Sequence, residues 1–124
     1  MTPPTGNPRQ CLADWLRERS AAVSGCEQKA RNALYDDKNE PAYRQLMEEK
    51  AALLASIADD AASLVDALPA PERNRVREIL GSFSANARTS LRIGSVFYMS
   101  ALLYPDDHKE GEPNNLEKLV ASLR

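Results

Sequence analysis

Between its prolines the chain places apolar residues with the period of a helix, not of a strand. From residue 9 onward, Leu12, Leu16, Arg19, Val23, Cys26, Ala30 and Ala33 recur at alternating steps of four and three, and Trp15, Ala22 and Leu34 widen the row. That is the stripe by which an amphipathic helix meets a core. After Pro41 the pattern returns through Tyr43, Leu46, Lys50, Leu53, Ile57, Ala61, Leu64 and Leu68, flanked by Met47, Leu54, Ala58 and Val65, with Glu48, Glu49, Asp59 and Asp66 on the opposite face. A third row runs Val76, Leu80, Phe83, Ala87, Leu91, Gly94, Tyr98, Ala101, with Ile79 and Phe97 beside it. A short last row, Leu116, Leu119, Val120 and Leu123, falls at i, i+3, i+4 and i+7.

Proline placement turns these rows into elements. Pro8, Pro41, Pro71 and Pro113 each open a stretch, where a missing N–H and a fixed φ suit the first helical turn. The pattern predicts helices over about 8–35, 41–68 and 71–104 and a short amphipathic helix over 113–124. It also predicts a disordered leader over 1–7 and a polar linker over 105–112. Asn7 is a good N-cap, whereas Glu40, Ala70 and Glu112 are poorer ones. Gly81 and Gly94 mark possible bends, but Ala87, Ser90 and Gly94 fit better as small residues that allow close packing. The turn at Asp36–Asn39 is short enough to make the first two helices antiparallel. The fold class is all-α: an antiparallel three-helix bundle with long helices and a short C-terminal fourth helix.

Composition agrees, with 18 Ala and 15 Leu against 5 Val, 3 Ile and 3 Thr in 124 residues. A net charge of −2 gives no general pull toward nucleic acid or an anionic membrane. One His and two Cys cannot furnish the usual Cys/His metal sites. No phosphate loop, nucleophile elbow or Cys-x-x-Cys pair occurs. No catalytic residue, cofactor or metal is therefore expected, and the chain reads as a non-enzyme. Its start, MTPPTGNPRQ, is unlike a secretory signal, and the longest apolar stretch, Ile93–Tyr104, is shorter than the roughly 20 residues a membrane span needs. On one helix Cys11 and Cys26 lie about 22 Å apart, too far for a mutual disulfide. A cytoplasmic protein with reduced thiols is expected, without membrane insertion.

The most informative stretch is Leu91–Tyr104, LRIGSVFYMSALLY, because its apolar side chains point in every direction around a helix. A single hairpin cannot cover them, so Ile93, Val96, Met99, Leu103 and Tyr104 are expected to face outward and form an interaction patch. The candidate partner-binding residues are Leu91, Ile93, Val96, Phe97, Met99, Leu102, Leu103 and Tyr104. Leu116, Leu119, Val120 and Leu123 would serve as a lid or a second contact surface, or pack with the patch as a fourth-helix core. His108, in the acidic linker, reads as a solvated loop residue. Arg73, Arg75, Arg77, Arg88 and Arg92 make the third helix basic, with salt bridges to Glu48, Glu49 or Asp59, or simple solvation, favoured over a nucleic-acid stripe.

The run Glu27–Ile57, EQKARNALYDDKNEPAYRQLMEEKAALLASI, resembles the FlgN family of flagellar export chaperones. The likeness rests on a glutamate-bearing first helix ending in Ala33–Leu34, a short polar turn, and a second helix with Lys50 followed by Leu53–Leu54. Ala85–Asn86–Ala87 echoes the Asn-containing third helix. The resemblance covers about two thirds of the chain. It implies a cytoplasmic chaperone whose C-terminal half holds the amphipathic C-terminal segment of an exported hook–filament junction subunit. The alternatives are a structural or adaptor homodimer using the same patch on itself and, less favoured, a nucleic-acid-binding regulator.

Overall fold

The computed structural model describes residues 7–124, so the leader expected over 1–7 lies, except for Asn7, outside the described residues. All regular elements among them are helical: α1 (Pro8–Arg31), a five-residue π turn (Asn32–Asp36), α2 (Glu40–Ala55), α3 (Ile57–Asp60), α4 (Ala62–Asp66), α5 (Ala70–Ile93), α6 (Val96–Ala101) and α7 (Asn115–Leu123). Helix α2 lies between α1 and α5, and α7 packs along α1. Arg9 pairs with Glu72 at 3.1 Å and donates to the Ser122 carbonyl at 3.0 Å, so the starts of α1 and α5 and the end of α7 share one end of the molecule. The core joins Leu12, Leu16 and Val23 of α1 to Leu54, Ile57, Val76, Leu80, Met99 and Leu116, all buried.

Local chemistry sets the helix ends. Asn7 caps α1, accepting from the N–H groups of Arg9 and Gln10. Asn39, rather than Glu40, caps α2 through the Ala42 N–H, because its short amide oxygen reaches the orphan donors of the first turn. Asn114 and Glu117 form a reciprocal capping box, so α7 begins after Asn114 and not at Pro113.

The second helix expected over 41–68 is interrupted at Ser56 and Ala61. At the first break the Ser84 hydroxyl of α5 donates to the Leu54 carbonyl and accepts from the Ala58 N–H, each at 3.1 Å. It thereby stands in for one rung of the i→i+4 ladder, a recognised cause of a helix break. Arg19 takes the Leu53 carbonyl at 2.8 Å and Asp60 at 3.0 Å, with its guanidinium 4.7 Å from the Trp15 ring centroid. An arginine inside the apolar row of α1 is thus explained by the backbone it serves.

The third helix expected over 71–104 stops at Ile93. Gly94 has φ +68, the Gly94 N–H donates to Leu91 and the Ser95 N–H to Ser90, which is a Schellman ending. Ser95 then caps α6 through the Tyr98 N–H, and the Arg44 guanidinium holds the Gly94 carbonyl at 2.9 Å. The chain therefore turns, and α6 folds against α2 as well as α5. Gly81, by contrast, lies within α5 without interrupting it.

Candidate functional site

The turn at Gly94 redistributes the apolar stretch. Met99 is 0 % exposed, and Leu102 and Leu103 are also buried, contrary to the expectation that Met99 and Leu103 face outward. The physical reason is the left-handed glycine, which swings α6 so that its Met99 side joins the core. Leu91 and Val96 are half-buried against that core. Leu116, Leu119, Val120 and Leu123 are all buried, with α7 seated on α1, so they complete the core and do not form an open lid.

Large apolar side chains remain exposed at the corner between α5 and α6: Phe97 at 75 %, Ile93 at 55 % and Tyr98 at 53 %. The rings of Phe97 and Tyr98 lie 6.0 Å apart. Val96 faces a groove shared with Leu34, Pro41, Tyr43 and Arg44 and bordered by Glu40. Tyr35 on the adjoining π turn is itself 71 % exposed. The corner and the groove make an apolar external surface at this end of the bundle, where the ends of α1 and α5 meet the start of α2. Tyr98, expected in the packed seam, is exposed instead, and Tyr35, outside the expected contact set, borders the same surface. A helix ending at Gly94 is the signal that moves Tyr98 outward.

Beneath this corner lies a buried polar cluster. Lys50, 0 % exposed, pairs with Glu27 of α1 at 3.0 Å and donates to the Ser100 carbonyl at 3.0 Å, and its ammonium lies 5.1 Å from the Tyr104 ring centroid. The Tyr104 hydroxyl donates to the same Glu27 carboxylate at 2.8 Å. Burial lowers the Lys50 pKa against the opposing pull of Glu27. Burial first, and then the Glu27 hydrogen bond and charge, push the Tyr104 phenol up to about 12. Tyr104 is therefore turned inward, a correction to its outward assignment. The cluster clamps the end of α6 to α1 and α2. Next along the chain, the His108 ring meets Tyr104 edge-on at 4.8 Å and hydrogen-bonds the Glu112 carbonyl. The segment 105–112 is thus a folded turn, and His108 is half-buried within it instead of solvated.

Elsewhere, Arg88 pairs with Asp59 and Arg77 with Asp66, as a salt-bridged basic face requires. Glu48 pairs with Arg44 on its own helix. The Cys26 thiol lies 4.0 Å from Glu49, and burial followed by that charge raises its pKa, which disfavours the thiolate. Among the described residues no three His, Cys, Asp or Glu side chains converge where a metal ion could sit, and no helix is long and apolar enough to cross a membrane. Comparison with known proteins finds no matching family model, no matching curated protein and no matching solved structure.

Proposed function

We propose that this chain is a non-enzymatic, cytoplasmic binding protein, a helical-bundle chaperone of the FlgN kind. Its three long helical stretches and short fourth helix present the α5–α6 corner to the amphipathic C-terminal segment of an exported flagellar subunit. The observation that carries this reading is the exposure of Ile93, Phe97 and Tyr98 together on one corner. Large apolar groups gathered in this way on a surface usually mark an interaction site. Of the twelve expected contact residues Ile93, Val96 and Phe97 remain, joined by Tyr98, with Leu34, Pro41 and Tyr43 as the floor of the groove. Burying three large side chains yields roughly 5–9 kcal/mol before the costs of association, so a micromolar complex, which needs about 8 kcal/mol net, must also draw on the groove.

The test is capture from cells of the native host, comparing wild type with an Ile93→Asp, Phe97→Asp double variant. Wild type retaining an exported flagellar subunit, identified by mass spectrometry and lost from the variant, supports the proposal. No such subunit, or equal capture by the variant, overturns it. Sedimentation separates the homodimer alternative: a tight dimer at micromolar concentration that the same two substitutions dissociate assigns the corner to self-association and removes the chaperone reading.

A further inference from the structure

Where α6 turns back beside α5, a hollow of about 310 Å³ opens on the side of Tyr98, closed at one end by Asn115 in the first turn of α7. Its position follows from two features already described: Gly94 sets α6 across from Asn86 and Thr89, and the Asn115 N–H, donating to the Leu103 carbonyl at 2.9 Å, draws the start of α7 to the end of α6. In a chain with 27 % charged residues, none of the residues lining this hollow is Asp, Glu, Lys or Arg. Leu102 and Leu103 contribute apolar lining, and the rim carries Asn86, Thr89, Tyr98 and Asn115.

The rim groups are not spent on the fold. Thr89 donates to the Ala85 carbonyl and keeps its oxygen as an acceptor. The carboxamides of Asn86 and Asn115 and the hydroxyl of Tyr98 make no side-chain hydrogen bond among the described residues. Each carboxamide offers an acceptor beside two donors, the complement of a peptide unit, which presents one C=O and one N–H. Asn86, Thr89 and Tyr98 are exposed and Asn115 half-buried, so a carboxylate or ammonium at the rim keeps water but meets no opposite charge, whereas an uncharged amide finds partners for both its polar atoms.

We infer that this hollow binds uncharged main-chain amides, which the partner's segment supplies at the end of its helix. A helix leaves its last carbonyls or first N–H groups without intrahelical partners, and Tyr98 belongs to both the apolar corner and the hollow. A segment lying on Ile93 and Phe97 thus brings its unpaired end to Asn86 and Asn115. Naming the partner as the source of those amides rests on the proposed function. The amide preference of the hollow does not.

The test uses the full chain, isotope-labelled, and N-acetyl-leucine methylamide as the probe, followed by two-dimensional NMR. Saturable shifts are expected in the side-chain amide resonances of Asn86 and Asn115. N-acetyl-leucine, the same molecule ending in a carboxylate, should bind at least about fivefold more weakly. Asn86→Ala and Asn115→Ala, each removing only an unpaired surface carboxamide, should retain the wild-type spectrum elsewhere and weaken the methylamide by a similar factor. Absence of saturable shifts, equal binding of the free acid, or undiminished binding by both variants overturns the assignment. The two proposals fail separately. Subunit capture that depends on Phe97 without methylamide binding discards only the hollow, and methylamide binding without subunit capture discards only the chaperone.

Discussion

Replacing Glu27 by Gln puts a number on the clamp beneath the corner. The substitution keeps the side-chain shape and an acceptor for the Tyr104 hydroxyl but leaves the Lys50 ammonium, 0 % exposed, with only the Ser100 carbonyl, the Tyr104 ring and a neutral amide. At 3.0 Å the lost attraction is about 5 kcal/mol for an effective dielectric near 20. The loss also has a ceiling, because Lys50 can shed its proton instead. From an ordinary value of 10.5 to pH 7 that costs about 1.4 kcal/mol per unit, or roughly 5 kcal/mol in all. Breaking a buried pair typically costs about 3–5 kcal/mol, so a loss in that range is expected at pH 7. Once Lys50 is neutral in the variant the deficit should shrink by about 1.4 kcal/mol per pH unit until the wild-type Lys50, its own pKa lowered below 10.5, sheds its proton as well. Lys50→Met alone should cost less, about 1–2 kcal/mol, since Glu27 keeps the Tyr104 donor. The double variant should recover much of the Glu27→Gln loss. Urea unfolding followed by circular dichroism, at pH 7 and pH 9, measures all four corners of the cycle. A Glu27→Gln loss below about 1 kcal/mol, or a double variant no better than the single, would refute the view that Lys50 is held buried by its partner's charge.

Three further outcomes can be measured with the same assay. Gly94→Ala forces a side chain onto φ +68, with its Cβ 3.4 Å from the Arg44 guanidinium, and should cost about 1–2 kcal/mol, whereas Gly81→Ala, mid-helix with open space around it, should add about 0.5–1 kcal/mol; equal effects at the two sites would contradict the turn assigned to Gly94. Ser84→Ala strands the Leu54 carbonyl and the Ala58 N–H at the α2–α3 break and should cost about 1–3 kcal/mol, so an unchanged urea midpoint counts against the bridging hydroxyl. In alkali, Tyr104 keeps its proton when folded up to about 12 but loses it near 10.0 when unfolded, so its stabilisation is whole below 10.0 and disappears as pH rises through 12. Lys50, with a lowered folded pKa, acts oppositely, adding stability as pH climbs to 10.5. Tyr104→Phe should therefore flatten the alkaline decline, and an identical decline in the variant would assign it to other groups.

The helical class and, to within a residue, the starts of α1, α2 and α5 were legible because period and proline placement both report local backbone preference. The four-and-three row of α1 and Pro8 behind Asn7 are sufficient for that element. What the rows could not reveal is direction. Leu91, Gly94, Tyr98 and Ala101 keep helical spacing whether the backbone continues or turns, so Met99 read as outward and Tyr98 as packed. The deciding signal was present in Gly94–Ser95, a left-handed helix ending followed by an N-cap, yet a single glycine in a small-residue seam reads equally well as close packing. Lys50 was visible within an apolar row, but its pairing with Glu27 depends on the register between two helices, which no one-dimensional pattern fixes. Asn114 with Glu117 was a readable capping box, obscured by the more conspicuous Pro113. Of the candidate site, Ile93, Val96 and Phe97 lie at the surface, while the apolar face of α7 takes the fourth-helix core place that its spacing allowed beside a lid.

The bond from Arg9 to the Ser122 carbonyl joins residues 113 positions apart. It brings both ends of the described chain to the pole opposite the α5–α6 corner, with the 24 residues of α1, about 36 Å of helix, between them. A fluorophore, affinity handle or surface tether attached at either residue therefore leaves the corner unobstructed. A permuted chain that joins these neighbouring ends and opens elsewhere would keep the corner's geometry intact, so the corner can be studied in isolation from the means used to hold the molecule.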